Sequence, residues 1–372
     1  MRVLALAGDA ASLMAQIRLR APLEALCQRM GWPFELRSLH DCGPAELAAA
    51  DVLIVQRGLS MRAWRLQKAM RQRGGAVVYE IDDLLTDVPP HISNHEAIWA
   101  AQPWLRRCLA ECDLVTTSTA RLAQELGPPC SRVVPNCAWP PVEWDLPEAD
   151  AQQPVTLLLA SMEALATEFI YPALRAAQAA GARIVVLGPA AAGFAAAGVP
   201  VQAQELIPRD RFIAFARGLP NVVAVVPLES SRFAACKSAI KWFEYAGAGI
   251  PVLCSAVNPY ADVVQPGVTG ELVPNEAGAW QAALFQATDA AWRHRIAAAA
   301  QADVRRRFTF DHMVTAWQQA LELALQRRAA TGVMPATWAW RAQETLAASL
   351  DAPLRGLRRL NRARLARRKQ GA

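Results

Sequence analysis

Residues 237–255 read KSAIKWFEYAGAGIPVLCS, an amphipathic segment followed by a short apolar one. A helix over the first part would place Lys237, Lys241 and Glu244 on one face, because side chains four and seven residues apart align along a helix. The glycine–proline step at 249–251 would end that helix, and residues 252–255 predict a buried strand. This helix-then-strand order is typical of a layered α/β fold.

Similar units recur along the whole chain. Short apolar runs without polar alternation are typical of strands buried on both faces, as in parallel sheets. They occur at 3–6, 52–55, 76–79, 114–115, 155–159, 184–187, 222–225 and 252–255, and a further short strand is predicted after Gly270. Amphipathic segments that predict helices lie between them, among others at 17–30, 61–73 and 97–110. The alternation predicts a doubly wound α/β architecture.

A proline cluster divides the chain into two halves. Prolines and acidic residues alternate over 135–154, a composition typical of an interdomain linker. The predicted domains are a Rossmann-like domain at 1–136 and a second one at 155–302, joined by a linker at 137–154. A long C-terminal helix at 303–330, with a candidate break at 308–310, is predicted to pack across the domains. A basic helical tail follows at 331–372. Two domains joined in this way form a cleft, which is a preferred place for a ligand.

The positive charge of the chain is concentrated at one end. The sequence has 372 residues, 53% of them hydrophobic, and a net charge of +6. The residues after 353 include many arginines and no acidic residue, so the rest of the chain is nearly neutral. This distribution argues against nucleic acid as a partner of the whole protein. The tail predicts contact with an anionic membrane surface, and a solvated tail is the equal alternative.

The cysteines and the N-terminus indicate a cytoplasmic protein. None of the eight cysteines forms a C-x-x-C pair, which favours reduced thiols over disulfides or zinc ligands. The first apolar run ends at Gly8-Asp9, too early for a signal peptide, and no run approaches the ~20 residues of a membrane span. We expect a cytoplasmic location, peripheral at the inner membrane face if the tail binds lipid.

The opening segment also predicts an anion site. Lys237 and Lys241 near a helix N-terminus add their charge to unpaired backbone amides. Glu244, one turn further on, could accept two hydrogen bonds from a ribose diol. Diphosphate and ribose together are the part of a nucleotide-sugar that such a site would bind. The alternative is a surface pair between Lys241 and Glu244, worth only ~0.3 kcal/mol. The spacing leaves both open. The loop at 258–260 follows a strand, where α/β folds bind ligands.

Residues 237–255 and 258–273 together resemble the donor-binding half of GT-B glycosyltransferases, the family 4 type and its relatives in bacterial polysaccharide and O-antigen biosynthesis. In that family a glutamate that precedes a G-x-P-V motif binds the nucleotide ribose. Glu244, which precedes residues 249–252, matches this glutamate. Two further family motifs lie upstream of that glutamate, K-S-x-x-K and P-L, matched by Lys237, Ser238, Lys241, Pro227 and Leu228.

The N-terminal half is similar to the same family. It carries an E-x-D-D segment at 80–83, a strand that ends in Ser-Thr at 113–119 and a Pro-Asn pair at 135–136. Arg18 and Pro22 match an early R-x-x-x-P-L helix. The resemblance therefore extends from residue 1 to about residue 320 and leaves the tail unaccounted for.

The resemblance implies an α/β protein of the GT-B class, with two Rossmann-like doubly wound domains facing across a cleft and a C-terminal helical tail. It implies a metal-independent, hexosyltransferase-like enzyme that moves a sugar from a UDP- or GDP-linked donor to a glycan or lipid-linked acceptor in cell-surface polysaccharide synthesis. The nucleotide-sugar is a substrate, and no cofactor is expected. The implied donor-binding residues are Lys237, Ser238, Lys241, Glu244, Asn258, Pro259 and Tyr260.

Two departures from the family pattern keep other functions open. Cys236 stands where the family has a first glutamate, and 256–260 reads AVNPY in place of G-G-x-P-E. A catalytically silent GT-B module that binds a nucleotide-sugar or glycan, and a nucleotide-sugar epimerase, are therefore the alternatives.

Polar residues after the N-terminal strands predict the rest of the site. Asp82, Asp83 and His91 are the candidate catalytic residues, because carboxylates and imidazoles act as general bases. Arg18, Arg57 and Glu80 are the candidate acceptor contacts. The alternatives are helix capping or metal binding for the acidic group, a salt bridge for Arg57, and a polar loop at the rim of the cleft for His91 and His95. We expect no metal.

Overall fold

The computed structural model describes residues 1–92, 94–139, 144–148, 150, 152–161 and 168–331. The predicted basic tail from residue 332 onward lies outside the described residues, as do positions 140–143, 149 and 151 of the predicted linker. The described chain forms two parallel six-stranded sheets, each covered by helices on both faces. This confirms the predicted two-domain α/β fold.

The N-terminal sheet has the strand order β2-β1-β3-β4-β5-β6. Its strands are β1 (Val3–Ala7), β2 (Phe34–Ser38), β3 (Val52–Gln56), β4 (Ala76–Ile81), β5 (Leu114–Thr117) and β6 (Ser131–Val133). The order reverses between β1 and β3, which makes their carboxyl ends the switch point where such sheets bind ligands.

The C-terminal sheet has the strand order β12-β11-β10-β7-β8-β9, which is the Rossmann order. Its strands are β7 (Thr156–Ala160), β8 (Arg183–Leu187), β9 (Gln202–Gln204), β10 (Val222–Val226), β11 (Val252–Ser255) and β12 (Glu271–Val273). The switch point of this sheet lies between β7 and β10.

Helices cover the two sheets in chain order. In the N-terminal domain they are α1 (Leu13–Ala15), α2 (Ala21–Met30), α3 (Pro44–Ala49), α4 (Met61–Gln72), α5 (His95–Ala100), α6 (Gln102–Glu111) and α7 (Ala120–Leu126), with a π-helical turn at Gln16–Arg20. The C-terminal half has α8 (Tyr171–Ala179), α9 (Ala190–Ala196), α10 (Arg209–Arg217), α11 (Arg232–Ala235), α12 (Ile240–Gly247), α13 (Ala277–Gln286), α14 (Ala290–Arg307) and α15 (Phe310–Thr331).

The interior strands form where the apolar runs predicted them, because both of their faces are covered. In β1, Leu4 and Leu6 pack into one hydrophobic layer, whereas Val3 and Ala5 pack into the layer on the opposite face. Each position is therefore apolar, and the run shows no polar alternation. The strands that sequence reasoning missed are β2, β6 and β9, all at sheet edges, with half-buried or exposed residues.

Three predicted helices differ from those observed. The segment 97–110 is split into α5 and α6 at Ala101, and the segment 303–330 belongs to α14 and α15, which are separated at Phe308 and Thr309. The break lies at the predicted candidate position. α12 begins only at Ile240, so Lys237 precedes the helix and does not share a helical face with Lys241.

The chain returns to the N-terminal domain in α15. Met313, Trp317 and Leu321 pack into the N-terminal hydrophobic layer that contains β1 and β3. The Trp317 indole Nε1 donates a hydrogen bond to the backbone oxygen of Arg18 at 3.0 Å. At the crossing, the Ala138 amide donates to the Phe308 oxygen at 2.9 Å, so the two interdomain segments are bonded to each other.

The C-terminal domain also reaches into the N-terminal one. Phe233 on α11 and the following Cys236 are buried in the N-terminal core layer on the far side of the sheet from α15. Arg232 pairs with Glu125 of α7 at 2.6 Å. The domains are thus in contact on both sides of the cleft. Within the described residues, no helix is long and apolar enough to cross a membrane.

Replacing Trp317 by alanine tests the role of α15. The change removes a fully buried indole from the N-terminal core, and we expect the free energy of unfolding to fall by ~3–5 kcal/mol in denaturant titrations. The control is Trp99→Ala, because Trp99 is 66% exposed and its loss should change stability by under ~0.5 kcal/mol. Equal effects of the two changes would contradict the packing.

Candidate active site

A cavity of about 500 Å³ lies between the two domains. Its walls come from the carboxyl ends of strands in both sheets, including the residues after β1 and β3 on one side and those after β7 and β10 on the other. The two switch points therefore face each other across one space. Both halves of the chain place polar groups there, as α/β folds commonly do at ligand sites.

The C-terminal wall of the cavity contains the start of α12. Lys237, Ser238 and Lys241 all line the cavity. Among the described residues, no side chain caps this helix, whose N-cap residue is Ala239. The partial positive charge of the first backbone amides of α12 adds to that of the lysines. This wall of the cavity is therefore positively charged.

The N-terminal wall is built around Arg57. The Arg57 Nε pairs with Asp82, and its Nη2 lies 2.7 Å from Asp83 Oδ2. Across the cavity, the Lys237 Nζ lies 3.3 Å from Asp83 Oδ1. Burial alone would raise the pKa of Asp82, but the charge and hydrogen bond of Arg57 outweigh it and lower that pKa. Asp82 is therefore an ionised, weakly basic carboxylate, and the salt-bridge alternative for Arg57 is what the structure shows.

Arg18 and Glu80 lie behind the cavity wall. Both side chains are 0% exposed, and Arg18 Nε is 2.8 Å from Glu80 Oε1. Burial raises the pKa of Glu80, and the neighbouring Arg18 opposes this shift. The prediction that these two residues contact an acceptor is therefore wrong for this arrangement, because no ligand can reach either group. Arg57 lines the cavity, and its contact with an acceptor stays a prediction.

His91 lies at the cavity wall opposite a residue that sequence reasoning missed. Its Nε2 is 3.4 Å from Glu229 Oε2, and both residues line the cavity. Glu229 is oriented by the Ser231 hydroxyl, which donates to Oε1 at 2.8 Å. The motif at 227–228 marks the carboxyl end of β10 and could have pointed to Glu229. His95 instead contacts the Val88 oxygen at 2.8 Å.

Glu244 does not line the cavity but lies close to Lys241, which does. It forms an ion pair with Arg209, the first residue of α10, whose guanidinium stacks on the ring of Trp139. Burial raises the pKa of Glu244, against the lowering influence of Arg209 and Lys241. Arg209 carries no motif and could not have been found from spacing alone.

The loop after β11 contributes one of its three predicted residues. Tyr260 is buried and lines the cavity. The Asn258 Nδ2 donates to Asp262 Oδ1 at 2.6 Å, which holds the loop together, and Pro259 is buried beside it. Neither Asn258 nor Pro259 lines the cavity.

Cys236, at the position of the missing family glutamate, is part of the domain contact. Its backbone oxygen accepts a hydrogen bond from the Thr119 hydroxyl at 3.1 Å, and its side chain is 0% exposed. Burial raises the pKa of its thiol to about 11, so the thiol is neither accessible nor ionised. Within the described ranges, no group of three or more His, Cys, Asp or Glu side chains could hold a metal ion.

The family comparison agrees with this geometry. Residues 165–319 match the family model described as "Glycosyl transferase-like". The match lies mainly in the second domain, and the fold is GT-B. The matched segment includes the C-terminal wall of the cavity from Ser238 to Tyr260. No curated protein matches the sequence significantly.

Solved structures share this GT-B fold over most of the chain. Sucrose-phosphate synthase from Thermosynechococcus elongatus matches with a TM-score of 0.63 and 16% identity, over 86% of this chain and 98% of that one. Anabaena HepE in complex with UDP-glucose matches with a TM-score of 0.54 and 16% identity, over 87% and 98%. A glycosyltransferase from Rickettsia africae matches with a TM-score of 0.54 and 10% identity, over 87% and 98%. At these identities the likeness is one of fold.

The burial of Glu244 predicts a pH dependence of stability. The pKa of Glu244 is raised in the folded state, so the protonated carboxyl contributes to the free energy of unfolding. This contribution is complete below the unfolded pKa of about 4.3 and is lost as the pH rises through the folded pKa. Glu244→Gln cannot ionise. Its free energy of unfolding relative to wild type should therefore rise from about pH 4 to about pH 7. Denaturant titrations across this range measure it, and a falling difference would contradict the raised pKa.

Proposed function

We propose that the protein is a glycosyltransferase that transfers a sugar from a nucleotide-sugar to a hydroxyl of a glycan or lipid-linked acceptor. The observation that carries the proposal is the position of Lys237 and Lys241 at the uncapped start of α12, across one cavity from Asp82, Asp83 and His91. Cationic groups are on the donor side and candidate bases are on the acceptor side, as the transfer requires.

The donor diphosphate would bind at the start of α12. Its charge grows as the sugar leaves, and the two lysines and the helix amides would stabilise that charge without a metal ion. The cavity volume lies within the range of about 300–1,000 Å³ of small-molecule sites. HepE was solved with UDP and with UDP-glucose, which supports a UDP-linked donor here. We assign Glu244 to the ribose, with Arg209 holding one of its oxygens.

His91 is the proposed general base for the acceptor hydroxyl. It is 43% exposed at the cavity wall and faces the Glu229 carboxylate, which can orient the ring. Asp82 is a poorer base because its pKa is lowered. Asp83, held between Arg57 and Lys237, is placed to orient the acceptor.

The cellular setting follows from the same proposal. A cytoplasmic enzyme of cell-surface polysaccharide synthesis would use a lipid-linked acceptor at the inner membrane face. The basic residues beyond 353 would hold it there through anionic lipid headgroups.

A silent binding module is the second candidate. The buried Cys236 favours it, because the family glutamate at that position is absent and the side chain there cannot touch a donor sugar. Such a module would bind the nucleotide-sugar without cleaving it. Release of nucleoside diphosphate from the donor, with or without an acceptor, distinguishes the two.

The donor site is tested by thermal denaturation with UDP, GDP, ADP, TDP and their glucose conjugates. A nucleotide at 100 times its dissociation constant should stabilise the wild type by ~2.7 kcal/mol. Lys241→Gln should weaken this effect, because it removes a charge at the diphosphate position. The control Lys68→Gln, on α4 and outside the cavity, should retain the effect. No stabilisation by any nucleotide would contradict the donor site.

His91→Ala tests the proposed base. Donor turnover should fall by about 10²–10⁴-fold, while the nucleotide affinity stays near that of the wild type. His294→Ala, an exposed histidine on α14 outside the cavity, is the matched control and should leave both quantities unchanged. Kinetic assays of nucleotide release provide the rates, and unchanged turnover in His91→Ala would remove His91 from the mechanism.

A further inference from the structure

A chain of hydrogen bonds connects the N-terminal core to the donor wall. Arg18 Nη1 donates to Asn136 Oδ1 at 2.9 Å, and Asn136 Nδ2 donates to Ser238 Oγ at 2.6 Å. Arg18 is 0% exposed and lies behind the cavity wall, whereas Asn136, 5% exposed, and Ser238 both line the cavity. The chain therefore crosses the domain boundary and ends at the proposed diphosphate site.

The direction of this chain is set by chemistry. A guanidinium can only donate hydrogen bonds, so the Asn136 atom that faces Arg18 must be its oxygen. The amide nitrogen of Asn136 then has to point at Ser238, whose Oγ accepts. Because that oxygen is used as an acceptor, the Ser238 hydrogen remains to be donated to another group.

The far end of the hydrogen-bond chain is held by further bonds. Arg18 Nε is bonded to Glu80 at 2.8 Å, and Arg18 Nη1 also donates to the Val134 oxygen at 2.7 Å. The backbone oxygen of Arg18 is held by Trp317. A buried cation fixed in this way polarises the amide and the hydroxyl that follow it, which strengthens the final donor.

We infer that Arg18 and Asn136 are positioning residues that make the Ser238 hydroxyl a hydrogen-bond donor to a diphosphate oxygen at the start of α12. The inference rests on the proposed donor site. The Ser238 hydroxyl therefore offers a hydrogen to an anionic oxygen at the adjacent cavity position. The chemistry is that of a nucleoside diphosphate or of inorganic pyrophosphate.

Asn136→Asp tests the direction of the chain. The carboxylate keeps the contact with Arg18 but offers only acceptors, so Ser238 would have to donate to it and would be lost to the ligand. We expect the dissociation constants of UDP and of inorganic pyrophosphate, measured by titration calorimetry, to rise by about tenfold or more. Ser238→Ala should cause a similar loss, and Ser238→Thr, which keeps a hydroxyl, should restore most of the affinity.

The double variant separates this account from simple charge repulsion. If the chain acts through the Ser238 hydroxyl, Asn136→Asp should cost little further affinity in a Ser238→Ala background. A full additional loss there would show repulsion and overturn the inference, as would an unchanged affinity in Asn136→Asp alone. Asn221→Asp is the matched control, because Asn221 is a buried asparagine that bonds the oxygens of Asp150 and Gln153 away from the cavity.

The two anions separate this inference from the proposed function. Pyrophosphate binding without any nucleotide binding by the wild type would contradict the nucleotide-sugar donor. The role of the hydrogen-bond chain would then be tested by the pyrophosphate affinities of the variants. Binding of neither anion would overturn both.

Discussion

The buried ion pair between Arg18 and Glu80 is the interaction on which the geometry of the cleft depends. Removing two charges from water is costly, and such a pair persists only when hydrogen bonds satisfy its groups. Here the Val134 oxygen and the Asn136 Oδ1 accept hydrogen bonds from Arg18 Nη1, and Trp317 holds the backbone oxygen of Arg18. Four parts of the chain therefore meet at Arg18: the first helical segment, the acidic strand β4, the exit from the first domain and the returning helix α15.

The opposed charges of the cavity follow from this meeting point. Glu80 is anchored inside β4, so Asp82 and Asp83 emerge at the carboxyl end of the strand, where Arg57 holds them. Asn136 joins the same anchor to the donor wall. Parallel sheets bring strand ends of both domains to one space, and this arrangement places the cationic start of α12 opposite the carboxylates.

Much of the fold could be predicted from the sequence, and less of the site. Strands buried on both faces, such as β3 and β4, appear as apolar runs, whereas the edge strands β2, β6 and β9 have no such pattern. Lys237, Ser238 and Lys241 were found because a motif places them at a helix start. Arg209 was missed because its partners Glu244 and Trp139 are distant in sequence and no local spacing marks it. Glu229 follows the motif at 227–228, but its contact with His91 could not be predicted because the two residues are far apart in sequence.

The prediction that Arg18 and Glu80 contact an acceptor was wrong for the same reason. Motif matching indicated that these residues matter, but it could not tell a side chain that contacts a ligand from one that supports the residues that do. Burial decides this distinction, and it depends on four segments far apart in the sequence.

A crystal structure of the protein with bound UDP would test the proposed donor site. We expect diphosphate density at the start of α12, between Lys237 and Lys241, with an oxygen within hydrogen-bonding distance of the Ser238 hydroxyl. A nucleotide bound elsewhere, for example in the apolar groove of about 630 Å³ that includes Phe285 in the C-terminal domain, would contradict the donor site at α12.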